Sequence, residues 1–254
     1  MHSLHQPLAL LADPQCPADR VRLLTESLGL PLATEVRGSA LLLHLSPERL
    51  ELSKPGDPDL PGALWVDFTR PAARKRALHP GRELLVQAAK VRHAASPLVI
   101  DATAGLGRDG FLLAAAGFQV RMFECNPIVA ALLQDGLERA ARSPQIAAII
   151  ERMRLTVGNV LDYLQQPAEQ PEVIYLDPMF PERSKAAKVK QDLQLLQLLD
   201  DQSQAPELLL QAALAIRPKK VVVKRPLKGP LLAGPAPSYT LKGKAIRFDV
   251  YVGG

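Results

Sequence analysis

Short apolar segments alternate with longer amphipathic ones from residue 97 onward, and this alternation restricts the fold more than any other feature. The apolar segments are rich in β-branched residues and predict strands at PLVID (97–101), QVRMFE (119–124), RLTVGN, EVIYLD and KKVVVKR. Apolar strands that alternate with helices are typical of a mostly parallel sheet covered on both faces. The last two apolar segments, SYTLKGK and AIRFDVYV, predict an antiparallel hairpin. The predicted fold class is therefore α/β and Rossmann-like, with that hairpin at the C-terminal end.

The first 75 residues predict a small α/β module of their own. PADRVRLLTESLGL has the spacing of an amphipathic helix that stops at Gly29, and ALLLHLS, ERLELS and ALWVDF predict short strands. A helix that begins at Gly81, GRELLVQAAKVRHA, leads into the larger domain. We therefore expect a small N-terminal module over residues 1–75 and a larger domain over residues 76–254. Nothing in the small module points to chemistry.

Composition argues against several classes of protein. The 254 residues are 47% hydrophobic, which is enough for a substantial core, yet no apolar run approaches the roughly 20 residues of a membrane span. The two cysteines, Cys16 and Cys125, lie far apart and argue against a disulfide framework, so we expect a reducing, cytoplasmic setting. The five histidines show no ligand spacing and neither cysteine belongs to a CxxC, so no metal site is predicted.

A glycine turn follows the first strand of the larger domain, in VIDATAGLGRDGF (99–111). Gly105, Gly107 and Gly110 satisfy the pattern G-x-G-x-x-G, and Glu124 ends the next strand. Glycines let the backbone approach a ligand closely, and a carboxylate at the second strand end can accept hydrogen bonds from both ribose hydroxyls. The turn therefore predicts an adenosine-containing cofactor.

The charges near this turn favour one cofactor over another. Asp101 closes the strand and three residues separate it from Gly105, whereas a dinucleotide needs its pyrophosphate directly at the helix N-terminus. Asp101 and Asp109 would repel a pyrophosphate, but they suit S-adenosylmethionine, which carries a sulfonium and an ammonium group. The alternatives left open are a nicotinamide-dependent oxidoreductase and, for Asp101 alone, a carboxylate that caps the turn.

The turn after the third strand, VGNVLDYL (157–164), is expected to line the adenine. Asn159 can pair with the edge of the base, and Val160 can pack on its face. Asp162 competes for the first role, unless it caps the helix that follows. Cys125, at the preceding strand end, is expected to pack against adenine rather than to act as a nucleophile.

The segment VIYLDPMFP (173–181) ends a buried strand in a carboxylate held by a rigid turn. Asp177 can accept hydrogens from an exocyclic amine and so favour its nucleophilic form, while Phe180 can stack on the base. The pattern resembles the Asp/Asn-Pro-Pro-aromatic motif of amino-group methyltransferases, with Met179 in place of the second proline. The alternative is a strand-ending Asp-Pro turn with Phe180 in the core.

Basic residues gather in three clusters, at residues 70–92, 183–190 and 217–228, in a chain of net charge +5. Each cluster alone could be a solvated surface. Because all three flank the same candidate site, they favour a phosphate-rich substrate. The side chains predicted to hold RNA are Arg82, Arg183, Lys185, Lys188, Lys224 and Arg225.

Five separated strings occur in a characteristic order, namely DATAGLGRDGF, NPIVAALLQDGL, YLDPMFP, VVVKRP and KG-x-x-x-RFD-x-Y. Over residues 60–252 the chain resembles the bacterial J family of small-subunit ribosomal RNA (guanine-N2)-methyltransferases. The resemblance implies a class I methyltransferase sheet and a cytoplasmic enzyme that methylates N2 of one guanosine near the 3′ end of 16S rRNA, using S-adenosylmethionine. It implies cofactor contacts at Arg108, Asp109, Glu124, Cys125, Asn159, Val160 and Asp177.

The resemblance leaves some questions open. The substrate is expected to be 16S rRNA or the 30S subunit, without a membrane or a metal, and the oligomeric state stays undetermined. A non-catalytic RNA-binding or assembly factor on the same scaffold, or a methyltransferase for another nucleic-acid amine, remains an alternative.

Overall fold

The structure is a computed structural model that describes residues 8–35, 40–92, 94–178, 191–199 and 205–253. Its strands are β1 (Leu8–Ala12), β2 (Leu41–Leu45), β3 (Leu50–Ser53), β4 (Leu98–Asp101), β5 (Gln119–Glu124), β6 (Met153–Val157), β7 (Val173–Leu176), β8 (Lys220–Pro226), β9 (Tyr239–Lys242) and β10 (Ile246–Val252). Its α-helices are α1 (Ala18–Leu28), α2 (Pro71–Leu78), α3 (Leu84–Ala89), α4 (Arg108–Ala115), α5 (Pro127–Ala141), α6 (Ala147–Ile150), α7 (Val160–Gln165), α8 (Gln191–Leu199) and α9 (Pro206–Ala215).

The chain forms two compact units, each built from several segments of the chain. Among the described residues, one unit holds residues 8–67, 126–139 and 191–199, and the other holds residues 68–125, 140–178 and 205–253. The first unit thus takes in most of α5 and α8, which come from the middle of the chain. The domain boundary at residue 75 stays a prediction.

The first unit contains a three-stranded sheet in the order β1-β2-β3, in which β1 and β2 are parallel and β3 is antiparallel to β2. Alternate leucines of β2 and β3 are buried in its core. As predicted, α1 ends at Gly29, which takes the left-handed conformation with a φ of 62°. The buried Asp135 of α5 accepts hydrogen bonds from Arg20 and Arg139.

Two predictions for the N-terminal region need correction. The segment 63–68 is not a strand: Leu64 forms one isolated antiparallel bridge to Leu52, with a hydrogen bond in each direction, and the other residues of the segment are not part of a strand. The helix expected from Gly81 starts later, at Leu84, after a 3₁₀ turn over Pro80–Arg82. The strand β1 and the helix α2 were not predicted.

The second unit contains the predicted sheet. Its strand order is β6-β5-β4-β7-β8-β10-β9; the neighbours from β6 to β8 are parallel, and β10 is antiparallel to both β8 and β9. The mostly parallel sheet and the antiparallel C-terminal hairpin are therefore confirmed. Branched residues of β4, β7 and β8 form the core together with α7 and α9.

The topology of this sheet determines where a ligand can bind. From β4 the chain moves outward to β5 and β6, and it then returns to the other side of β4 to form β7. In open α/β sheets, ligands bind at such a reversal, outside the carboxyl ends of the strands. Among the described residues, no helix is both long and apolar enough to cross a membrane.

Candidate active site

The carboxyl ends of β4 and β7 lie side by side at the point where the strand order reverses. Asp101 pairs in register with Tyr175, and the Ala102 amide donates a hydrogen bond to the Tyr175 carbonyl at 3.0 Å. The Asp177 amide donates to the Thr103 hydroxyl oxygen at 2.6 Å. The glycine turn and the Asp-Pro turn are therefore joined directly.

The glycine turn has the backbone geometry that the sequence predicts. Gly105 and Gly107 have φ angles of 52° and 71°, in the left-handed region that favours glycine. A Cβ added to Gly105 would meet no heavy atom within 4 Å, apart from those of its chain neighbours. At Gly110 the same Cβ would lie 2.8 Å from the sulfur of Met122, so this glycine allows α4 to pack closely on β5.

Glu124 at the end of β5 supports the turn from the neighbouring strand. Its Oε2 accepts a hydrogen bond from the Gly105 amide at 2.8 Å, and its Oε1 lies 3.9 Å from the Cys125 thiol. Its backbone carbonyl accepts a hydrogen bond from the Gly158 amide at 2.9 Å. The turns after β4, β5 and β6 are thus connected through one residue.

The turn after β6 corrects two predictions. The Asn159 side-chain oxygen accepts a hydrogen bond from the Leu161 amide at 2.8 Å, so Asn159, and not Asp162, caps α7. Val160 is 1% exposed and belongs to the core of the sheet. Its side chain therefore cannot pack on the face of an adenine, contrary to the prediction.

Asp101 makes the hydrogen bond expected of the alternative role, a carboxylate that caps the turn. It is 1% exposed, and its Oδ1 accepts a hydrogen bond from the Thr103 amide at 3.3 Å, so it caps the turn. Burial, helped by the nearby charge of Asp109, raises the pKa of Asp101 to about 8. This environment favours the alternative of a turn-capping carboxyl, and direct contact of Asp101 with the cofactor stays a prediction.

Two further acids, Asp109 on α4 and Asp177 after β7, share one lysine. The ammonium nitrogen of Lys224 donates hydrogen bonds to Asp109 Oδ2 at 2.8 Å and to Asp177 Oδ2 at 2.7 Å. The Tyr175 hydroxyl donates to the same oxygen of Asp109 at 2.7 Å. The Asp177 side chain is 35% exposed, so it faces the solvent that a substrate would replace.

The charges in this cluster influence one another. Desolvation raises the pKa of Asp177, Lys224 opposes this, and Asp109 adds to it. Desolvation lowers the pKa of Lys224, but the charges and hydrogen bonds of Asp109 and Asp177 outweigh it and leave the pKa raised. Lys224 is therefore a permanent cation between two carboxylates.

This position corrects the prediction that Lys224 and Arg225 bind RNA. The ammonium group of Lys224 is engaged by two acids inside the site. Arg225 is 3% exposed and donates to the Pro230 carbonyl, which leaves it no surface for an RNA backbone. Arg82 is exposed, as an RNA contact requires. The predicted residues Phe180, Arg183, Lys185 and Lys188 lie outside the described residues, as does Met179.

Comparison with known proteins identifies the family. Residues 24–253 match the family described as "Putative SAM-dependent methyltransferase". The protein named ribosomal RNA small subunit methyltransferase J from Pseudomonas aeruginosa (strain UCBPP-PA14) is 46% identical over 92% of this chain and 90% of its own length. The chain belongs to this methyltransferase J family. A J-family protein from Thioalkalivibrio sulfidiphilus (strain HL-EbGR7) is also 46% identical, over 93% of this chain and 94% of its own length.

A solved structure agrees with the J-family assignment. The crystal structure of a SAM-dependent methyltransferase from Neisseria gonorrhoeae superposes with a TM-score of 0.76 at 33% identity, and the match covers 96% of both chains. The fold is thus that of a class I methyltransferase, and the cofactor is S-adenosylmethionine. The family assignment overturns the nicotinamide alternative.

The residues present fit this cofactor. The half-buried Glu124 is hydrogen-bonded to Gly105, whose open side leaves room for a ligand, and would hold the nucleoside part. The half-buried Asp109 lies in the first turn of α4, directly after the glycine turn, and would face the amino-acid part. The contacts of individual residues stay predictions, and these residues are Asp101, Gly105, Gly107, Arg108, Asp109, Glu124, Cys125, Asn159 and Asp177. Within the described part of the chain, no group of three or more His, Cys, Asp or Glu side chains could hold a metal ion.

Proposed function

We propose that this chain methylates the exocyclic N2 amine of a guanosine near the 3′ end of 16S rRNA. The observation that carries the proposal is the position of Asp177, a partly exposed carboxylate at the end of β7, joined to the glycine turn through Thr103. The relatives' name, ribosomal RNA small subunit methyltransferase J, supports RNA as the substrate. The choice of guanine rests on the family resemblance.

The chemistry follows from what Asp177 can do for an amine. The lone pair of an exocyclic amine is delocalised into the base, and a carboxylate that accepts its hydrogens favours the nucleophilic form and stabilises positive charge on nitrogen. When bound, S-adenosylmethionine supplies the methyl group. One proton leaves the nitrogen after transfer, and Asp177 is suited to receive it because desolvation raises its pKa.

Basic residues beside the site support binding of an RNA backbone. Arg74 and Lys75 of α2 and the nearby Arg82 are exposed, and Arg76 of the same helix is close enough to Asp109 for the two charges to interact. Phosphate contacts of this kind position a nucleic acid without reading its sequence. A cytoplasmic setting, with rRNA or the 30S subunit as partner, belongs to the same proposal.

Exchange of Asp177 for alanine tests the role of the carboxylate. Asp177→Ala should lower the rate of methyl transfer to rRNA by about 10²–10³-fold, the usual loss on removing one transition-state hydrogen-bond partner. Asp59→Ala is the matched control, because Asp59 is exposed and lies in the other compact unit. If the Asp177→Ala variant is folded and as active as the control, Asp177 is not the acceptor for the substrate amine.

A further inference from the structure

Lys224 lies where the cofactor side and the substrate side of the site meet. Its neighbour Val223 pairs in register with Leu176, so the lysine stands beside Asp177 at the carboxyl ends of two parallel strands. On its other side it pairs with Phe248 of β10, so β8 is held between two strands at this point. The lysine side chain is 24% exposed and its ammonium reaches both Asp109 and Asp177. Its position is therefore fixed by the sheet.

The two acids that Lys224 connects have different tasks in the proposed reaction. Asp109 is in the first turn of α4, next to the glycine turn, and Tyr175 holds the same oxygen that Lys224 holds. Asp177 is the acceptor expected for the amine. In the described part of the chain, the hydrogen bonds of the Asp177 carboxylate use Oδ2, and Oδ1 has no partner.

We propose that Lys224 is a positioning residue that holds Asp177 by Oδ2 and leaves Oδ1 as the acceptor for the substrate amine. This inference rests on the proposed function. A carboxylate fixed by a charged hydrogen bond loses the freedom to rotate, so one oxygen is presented in a constant direction. The same lysine fixes Asp109, so the cofactor side and the amine side are held in one arrangement.

The electrostatic surroundings of Asp177 make this role measurable. The groups that face it are Asp101 from β4, Asp109 from α4, Tyr175 from β7 and Lys224 from β8. Desolvation and the charge of Asp109 raise the pKa of Asp177, and Lys224 is the cation that opposes them. Removal of this cation should therefore let Asp177 take up a proton at a higher pH.

The first test compares kcat across pH for Lys224→Met, Lys224→Arg and a control. Lys224→Met removes the charge and keeps most of the side-chain length, so we expect a kcat lower by roughly tenfold or more and an acid limb moved to higher pH. Lys224→Arg keeps the charge and should keep the acid limb in place. Lys242→Met is the matched control, because Lys242 is exposed on β9, and it should behave as the wild type.

A second readout does not depend on activity. In protein labelled with ¹³C at the aspartate carboxyls, the Asp177 signal is the one that disappears in Asp177→Asn. Its titration midpoint should lie at higher pH in Lys224→Met than in the wild type, and Lys224→Gln serves as a second neutral variant if Lys224→Met does not fold. An unchanged midpoint and an unchanged acid limb overturn the inference. If the wild type transfers no methyl group to RNA, the proposed function fails, and the carboxyl titration still decides the role of Lys224.

Discussion

The hydroxyl of Thr103 joins the two turns that make up the site, and its removal gives a sharp prediction. Thr103 Oγ1 accepts a hydrogen bond from the Asp177 amide at 2.6 Å, which fixes the backbone that carries the Asp177 carboxylate. Thr103→Val replaces the hydroxyl by a methyl group of similar size. Thr103→Ser, the matched control, keeps the oxygen and loses only a methyl group.

The size of the effect follows from the partner that is left behind. A buried amide without an acceptor costs about 1–3 kcal/mol, and the lower half of that range applies because Thr103 is only half-buried and water can reach the turn. A loss of 1 kcal/mol lowers Tm by about 2–4 °C in a protein of 150–250 residues, so we expect a decrease of roughly 2–8 °C. Methyl transfer should fall further than stability, because the Asp177 turn loses its fixed position.

Thermal unfolding and the methyl-transfer assay measure the two effects on the same preparations. We expect Thr103→Val to be less stable and less active than Thr103→Ser, and Thr103→Ser to be close to the wild type. If both variants unfold at the wild-type temperature and transfer methyl groups at the wild-type rate, the hydroxyl does not position Asp177.

Three other predictions concern the surroundings of the site. Burial raises the pKa of Asp101 to about 8 in the folded state, so its contribution to stability is complete in acid and is lost as pH rises through about 8. In urea unfolding, the free energy of unfolding of Asp101→Asn should therefore rise relative to that of the wild type between about pH 5 and pH 8. A difference that stays constant with pH would contradict this. Gly110→Ala should cost about 1–3 kcal/mol in urea unfolding, because the new Cβ would lie 2.8 Å from the sulfur of Met122. An unchanged midpoint would mean that α4 or the Met122 side chain moves aside without cost. Arg82→Ala should weaken RNA binding and reduce the slope of log K against log salt by about 0.7–0.9, and an unchanged slope would place the phosphate contact elsewhere.

The sheet of the second unit could be predicted because its strands carry a strong signal. β5 and α5 begin and end where the pattern predicts, since buried parallel strands and amphipathic helices differ clearly in periodicity. The helix α2 was missed because the apolar residues of PAARKRAL are mostly small alanines that form no buried face, and the segment was interpreted only as a basic cluster. The strand β1 was missed although it is apolar, since five residues give little periodicity to recognise.

The backbone conformation of the site could be predicted from the sequence, whereas the burial and the partners of its side chains were harder to predict. Positive φ angles at Gly105 and Gly107 follow from glycine spacing, and Asp177 follows from its place after a buried strand. Burial is a property of the fold, so the core positions of Val160 and Arg225 could not be inferred from local sequence. The role of Lys224 had a signal that was not used: a lysine directly after three valines, on the strand next to Asp177, must end beside that carboxylate.

The most direct test uses radiolabelled S-adenosylmethionine with this protein and 16S rRNA or 30S subunits that lack the modification, followed by nucleoside analysis. We expect the label to be recovered as N2-methylguanosine, and its rate of incorporation to fall by about 10²–10³-fold in Asp177→Ala. Label recovered on adenosine or cytidine would contradict the choice of guanine, and the absence of transfer to any RNA, in a protein that binds the cofactor, would contradict the proposed substrate.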